Sequence, residues 1–156
     1  MKIITDHKSI LKIHFGSLLG RTFSSDSRNH QNKTIQRSGK TKNKLETRCL
    51  KQLGEYQAGK RKIFKLVLNP SGTAFQKKVW QQLLKIPYGK TLSYQAVAKA
   101  IGKPKASRAV GGACHANPIM IVIPCHRVLA SDGGLGGYAG GVAMKRRLLA
   151  LEQSSQ

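Results

Sequence analysis

An unbroken apolar run, Ile119-Met120-Ile121-Val122-Ile123, constrains this chain more than any other feature. Its side chains must be buried together, and a proline follows at once. Such a run predicts a strand in the core, ended by Pro124 because proline cannot donate to a sheet ladder. Cys125-His126-Arg127-Val128 come next, so a thiol stands where a core segment stops and a loop begins, with an imidazole beside it. A cysteine acts as its thiolate. It therefore needs partial access and a neighbour that takes its proton or steadies its charge, and His126 is the candidate. The dipeptide alone also suits a small buried cysteine beside a surface histidine.

The 156 residues suffice for one domain with its own core, or for a domain and a small partner. Their net charge is +22. Sixteen Lys and Arg stand against four Asp and Glu over residues 1–72, and twelve against two over 73–156, so the excess is no mere tail. A solubilising surface mixes both signs, and this one does not. A polyanion, nucleic acid first, is the expected partner. An anionic membrane fits less well without a basic amphipathic helix. Three cysteines, Cys49, Cys114 and Cys125, are an odd number without framework spacing, which argues for a reducing compartment. There is no apolar leader, and no stretch approaches the ~20 residues of a membrane helix. A soluble cytoplasmic protein is expected, nucleoid-associated in a bacterium.

Along the chain, residues 10–15 predict a strand, and 24–44 a mobile loop whose polar composition cannot offset its chain entropy. Residues 44–57 predict a helix with Leu45, Cys49, Leu50, Leu53 and Tyr56 on one stripe, and 63–68 a strand. Asn69-Pro70-Ser71-Gly72 is a turn and the expected domain boundary. Thr73 can cap a helix carrying Phe75, Val79, Trp80, Leu83 and Leu84. Ser93 can cap a second over 94–101; after Gly102-Lys103-Pro104 a third covers 105–116. The last two form a helix-turn-helix pattern. Ala106, Ala109, Gly111, Gly112 and Ala113 strip the final one of bulk. Adjacent glycines cost about 1 kcal/mol each in a helix, so a close backbone approach is implied, to a DNA groove or to another helix. Residues 131–141 carry six glycines without the ending of a phosphate loop, and read as a mobile loop presenting Tyr138. A last helix over 142–151 turns Ala143, Leu148 and Leu151 inward, with Glu152 at its end. The helix dipole disfavours a carboxylate there, so Glu152 calls for a specific partner.

Gly72-Thr73-Ala74-Phe75-Gln76, Val79-Trp80, Ile86-Pro87-Tyr88-Gly89-Lys90-Thr91, Ser93-Tyr94, Arg108-Ala109-Val110-Gly111, Asn117-Pro118, Ile123 to Val128 and Gly137-Tyr138-Ala139-Gly140-Gly141 stand in order over about the last half of the chain. This constellation closely resembles the O6-alkylguanine-DNA alkyltransferases, the methylated-DNA–protein-cysteine methyltransferases. The resemblance implies an α+β fold: a small, degenerate N-terminal α/β domain over 1–70, then a helical, winged-helix-like helix-turn-helix alkyltransferase domain over 71–156. It implies DNA repair by direct reversal, in which Cys125 takes the alkyl group from O6-alkylguanine, and from O4-alkylthymine, irreversibly and once per molecule. His126 would be the base, through a water, with Glu152 holding its tautomer and Asn117 bracing the turn. Arg108 would fill the space left by a flipped nucleotide, and Tyr94 and Tyr138 would line the base pocket. Gln95, Lys103 and Ser131 match DNA-contacting positions.

Met120 stands where many members have a second proline, and Ala139 where some have serine, which leaves alkyl-size preference open. The zinc ligands of some members have no counterpart here, so no metal or other cofactor is expected. The partner is double-stranded DNA carrying the lesion, bound by a monomer. Three other readings compete: a Cys-His thiol hydrolase, a zinc site from Cys114-His115 and Cys125-His126, and a protein that binds alkylguanine without repairing it. Adjacent residues rarely both reach one ion, and the relatives that only bind lack the cysteine.

Overall fold

The computed structural model describes residues 1–6, 8–14 and 44–154. The loop expected over 24–44 lies outside them, apart from Lys44, which opens a helix. The elements are β1 (Lys2–Thr5), β2 (Ile10–His14), α1 (Lys44–Gln57), α2 (Ala74–Leu83), β3 (Leu92–Ser93), α3 (Tyr94–Ala100), α4 (Ser107–His115), a 3-10 turn Cys125–Arg127, β4 (Val128–Leu129) and α5 (Val142–Ser154). Helices and two small sheets share one fold, as the α+β expectation has it.

β1 and β2 form an antiparallel hairpin that pairs Lys2 with His14 and Ile3 with Ile13. Apolar pattern marks only β2. Its partner is held in place by Asp6, whose carboxylate accepts from the Lys8 and Ser9 amides at 2.8 and 2.6 Å and from the Ser9 hydroxyl. That hydroxyl, then the two amides, hold the Asp6 carboxyl down at about 2. β2 in turn reaches the C-terminal half, where the Ile13 amide donates to the Pro118 carbonyl at 2.9 Å.

The strand expected over 63–68 is not formed. Only Leu68 bridges to Ile10, through Ile10 N–H to Val67 O at 2.8 Å and Asn69 N–H to Ile10 O at 3.0 Å. Further up, a side chain replaces the missing neighbour: Gln52 of α1 accepts from the Lys65 amide at 2.7 Å and donates to the Lys65 carbonyl at 3.1 Å. Those backbone groups are satisfied without a ladder, and Ile63 and Val67 stay exposed.

α1 has the expected bounds and buries Cys49, Gln52, Leu53 and Tyr56. α2 opens on a reciprocal capping box between Thr73 and Gln76, and α3 on Ser93, whose hydroxyl accepts from the Ala96 amide at 3.0 Å. α3 stops in a Schellman motif: Gly102, at φ +73°, and Lys103 donate to the carbonyls of Lys99 and Ala98, both at 2.9 Å. The left-handed conformation there suits glycine and fixes the angle between α3 and α4. Together α2, α3 and α4 bury Val79, Trp80, Leu83, Val97, Ala98, Val110 and Ala113. Trp80 ties the group together through Nε1–H to the Ala113 carbonyl at 2.8 Å.

α5 runs to Ser154, so Glu152 lies inside its last turn. Its buried residues are Met144, Lys145, Leu148 and Glu152. Ala143, expected inward, is exposed, because the inward face follows Met144, Leu148 and Glu152 at four-residue spacing. Among the described residues no helix is long and apolar enough to cross a membrane.

A Cβ built on Gly72 would stand 2.5 and 2.7 Å from two ring carbons of Trp80. Since that indole is 2% exposed and hydrogen-bonded, it cannot swing aside. Gly72→Ala should therefore lose about 1–3 kcal/mol by overpacking, read as a lower urea midpoint with an unchanged slope.

Candidate active site and nucleic-acid face

The run 119–123 is a buried turn, not the strand expected of it. The Ile123 amide donates back to Ile119 O at 2.9 Å, and Ile121 takes φ +74°, a left-handed conformation that is costly for a β-branched residue. Asn117 holds the turn from inside. Its Oδ1 accepts from the Ile119 amide at 2.9 Å, and its Nδ2 donates to the Ile123 carbonyl at 2.8 Å. A strand would have needed a neighbouring strand for its amides, whereas one asparagine side chain serves instead.

That clamp also reaches the thiol, because Asn117 Nδ2 donates to Cys125 Sγ at 3.1 Å. Cys125 is 2% exposed. Burial pushes its thiol up, while the Asn117 bond, the Lys145 ammonium and the nearby Tyr138 hydroxyl pull the other way. Tyr138 Oη is itself buried and has no hydrogen-bond partner of ordinary geometry, which leaves it open to the sulfur. Lys145 is fully buried and donates to the carbonyls of Val128, at 2.6 Å, and Leu135. Its Nζ lies 5.8 Å from the centre of the Tyr94 ring.

His126 and Glu152 are also fully buried. Glu152 Oε1 stands 2.8 Å from His126 Nε2. Arg127 clasps the same carboxylate, with Nε 2.9 Å from Oε2 and Nη2 2.9 Å from Oε1, and the Gly89 amide donates to Oε2 at 2.9 Å. Arg127 Nη1 is anchored on the Ile86 carbonyl at 2.6 Å. Burial pushes the Glu152 carboxyl up, but the bonds from His126 and Arg127 outweigh it and hold it at about 2. Burial lowers His126, against the pull of Glu152, and so favours the neutral imidazole. An ionised carboxylate only accepts. Nε2 therefore carries the proton, and Nδ1, which has no hydrogen-bond partner in the protein, is left as the basic atom.

On the outer side lies a cleft of about 800 Å³ whose lining includes Tyr94, Gln95, Arg108, Gly112, His115 and Ser131. A Cβ at Gly112 would meet nothing within 4 Å, and one at Gly111 only the Tyr94 ring at 3.8 Å. Gly111 and Gly112, with the exposed Ala109, therefore keep a surface bare, whereas Ala113 on the opposite face packs into the core.

The sequence model described as "6-O-methylguanine DNA methyltransferase, DNA binding domain" matches residues 74–154. The chain belongs to this family. It is 54% identical over 105 residues to the methylated-DNA–protein-cysteine methyltransferase of Methanosarcina barkeri, a stretch covering 67% of this chain and 66% of that protein. The crystal structure of the Mycobacterium tuberculosis O6-methylguanine methyltransferase superposes with a TM-score of 0.68 at 49% identity, over 70% of this chain and 67% of that one. A structure of Mycobacterium tuberculosis OGT in complex with DNA gives a TM-score of 0.78 at 35% identity, over 98% of this chain and 86% of that one.

In this methyltransferase-family chain the expected site residues separate into two connected groups. Cys125, His126, Glu152 and Asn117 form the buried cluster, with Tyr138 at its edge. Tyr94, Gln95, Arg108 and Ser131 line the cleft, and Tyr94 joins the two through Lys145. Lys103 stands exposed in the turn before α4, and Ala139 is exposed beside Tyr138; neither lines the cleft. Met120 is half-buried in the turn. Sequence reasoning passed over Tyr56, Arg127 and Lys145. Lys145 had a signal, because it sits three residues before Leu148 and seven before Glu152, on the same face of α5.

Because the Glu152 carboxyl falls from 4.5 to about 2 on folding, its contribution is present above about pH 5 and lost as pH drops toward 2. Wild type should exceed Glu152→Gln by about 3 kcal/mol near pH 7, and that gap should close toward pH 2 in urea unfolding. Asp6 titrates in the same window in both proteins and cancels in the difference.

Proposed function

We propose that this protein repairs DNA by direct reversal, moving an alkyl group from O6 of guanine, and from O4 of thymine, onto Cys125 once per molecule. The carrying observation is the buried imidazole next to Cys125 in the chain, whose Nε2 lies 2.8 Å from the Glu152 carboxylate while its Nδ1 has no partner and is left to accept. His126 Nδ1 takes the thiol proton, through a water as the resemblance implies. Lys145 and Asn117 stabilise the sulfur charge as it forms. The sulfur then bonds to the alkyl carbon, the carbon–oxygen bond breaks with its electron pair going to the base, and guanine leaves after protonation. A thioether has no onward step available, so the protein is spent.

Burial of the thiol keeps it neutral until a base arrives. A base inside a duplex cannot reach a sulfur that is 2% exposed, so the lesion must be extruded, at a cost of a few kcal/mol. The bare face of α4 fits the groove, Arg108 fills the vacated stack, and Tyr94 and Tyr138 border the pocket. Gln95, Ser131 and Lys103 steady the backbone, and Ala139 borders the pocket mouth. Residues 71–156 carry the thiol and the DNA face in a monomer, braced by the hairpin of β1 and β2 and by α1 from the N-terminal domain of residues 1–70.

Incubation with methylated duplex should add one methyl per molecule, located on Cys125 by fragmentation mass spectrometry and absent in Cys125→Ala. A methyl on Cys114 would overturn the assignment to Cys125, and repeated turnover would overturn the single-use reaction and favour the thiol hydrolase; binding without transfer would favour the non-repairing reader.

Arg108→Ala should slow repair of methylated duplex by at least tenfold, the equivalent of ~1.4 kcal/mol, while reaction with free O6-methylguanine stays within about twofold. Equal losses on both substrates would place Arg108 in the pocket or the fold.

A further inference from the structure

Tyr56 belongs to α1, outside the stretch matched by the family model, and by pattern it is one more apolar position. Its side chain is 1% exposed. The ring packs edge-on to Tyr88, with centroids 6.0 Å apart, and tilted to Phe64 at 5.4 Å. A phenol buried this deeply needs a partner for its hydroxyl. Tyr56 Oη donates to Glu152 Oε1 at 2.7 Å and lies 3.4 Å from His126 Nε2. The phenol and the imidazole N–H therefore draw on one carboxylate oxygen.

We propose that Tyr56 is a positioning residue for the His126–Glu152 pair: by donating to Glu152 it shares the carboxylate's charge, holds down the basicity of His126, and makes the N-terminal helix part of the transfer chemistry. The inference rests on the reading of His126 as acceptor of the thiol proton. A carboxylate oxygen that already holds a phenol proton supports an imidazolium less strongly, and only a neutral imidazole can take a proton from sulfur. The other groups facing His126 are Arg127 and the Gly89 amide, which also draw on Glu152, Lys145 of α5, and the Cys125 thiol preceding it. Tyr88 packs edge-on against Tyr56, and Arg127 Cζ lies 5.7 Å from the centre of the Tyr88 ring. Burial and the Glu152 charge push the phenol's own ionisation up, so Tyr56 remains a neutral donor. Removing its hydroxyl takes away the bond to Glu152 and the longer contact with His126 but no charge, whereas removing Arg127 would strand a buried charge.

The test is the titration of His126 by NMR in histidine-labelled full-length protein, beside the pH dependence of Cys125 methylation by free O6-methylguanine. Tyr56→Phe should raise the His126 midpoint by about half a unit to one unit and move the acid limb of the rate curve up with it. Site-specific 3,5-difluorotyrosine at position 56, a stronger donor of nearly the same shape, should lower both. Leu53→Ala, on the same face of α1, should lower the melting temperature and leave the His126 midpoint in place. An unmoved midpoint in Tyr56→Phe, a shift of the same sign with both replacements, or an equal shift in Leu53→Ala would overturn the proposal. If Tyr56→Phe does not fold, the fluorinated protein decides alone. If wild type accepts no methyl, the proposed repair activity fails, while the NMR midpoints still decide the role of Tyr56.

Discussion

A single buried carboxylate organises the C-terminal half of this protein. Glu152 accepts hydrogen bonds from Tyr56 of α1, Gly89 of the turn after α2, and His126 and Arg127 of the 3-10 turn, so elements remote in sequence converge on one anion. An isolated ion of this kind would not survive burial. Its donors make it stable, and each is thereby fixed in place. The energetic demand of one charge thus becomes a geometric specification for the imidazole next to the thiol.

Two further polar side chains do for the sulfur what Glu152 does for the imidazole. Asn117 spends its amide on a turn that contains a strained Ile121 and on Sγ itself. Lys145 brings a cation under the β4 and glycine-loop carbonyls. Both side chains hold backbone while they bear on Cys125, so the thiol sits on a rigid base. The glycine loop is a series of short turns, closed by Ala130 N–H to Gly134 O at 2.8 Å and Gly141 N–H to Tyr138 O at 2.9 Å.

Much of the scaffold was legible in the sequence because its signals are local. Thr73 and Ser93 cap the helices they precede, Gly102 ends α3, and α1 spans its expected residues, since caps and periodicity act within a few positions. Cys125, His126 and Glu152 were legible as chemistry, and the family motifs supplied their connection. The strands expected over 63–68 and 119–123 failed for one shared reason. Each has apolar side chains of the right kind, but Gln52 in the first case and Asn117 in the second satisfy the backbone in place of a neighbouring strand. Hydrophobic pattern reports burial, not the hydrogen-bond partner of an amide.

By itself the sequence determined the helices, the strong positive charge, the lack of bulk along α4 and the thiol–imidazole pair at the end of a buried run. Each depends on composition or on spacing within a turn or two. Only the tertiary structure decided that Tyr56, 96 positions before Glu152, meets it at a hydrogen bond, that Lys145 turns inward while Ala143 faces out, and that Nδ1 is the basic atom of His126. Those outcomes turn on which polar groups find partners once water is excluded, and such partners are chosen in space, between segments whose separation along the chain carries no local signal.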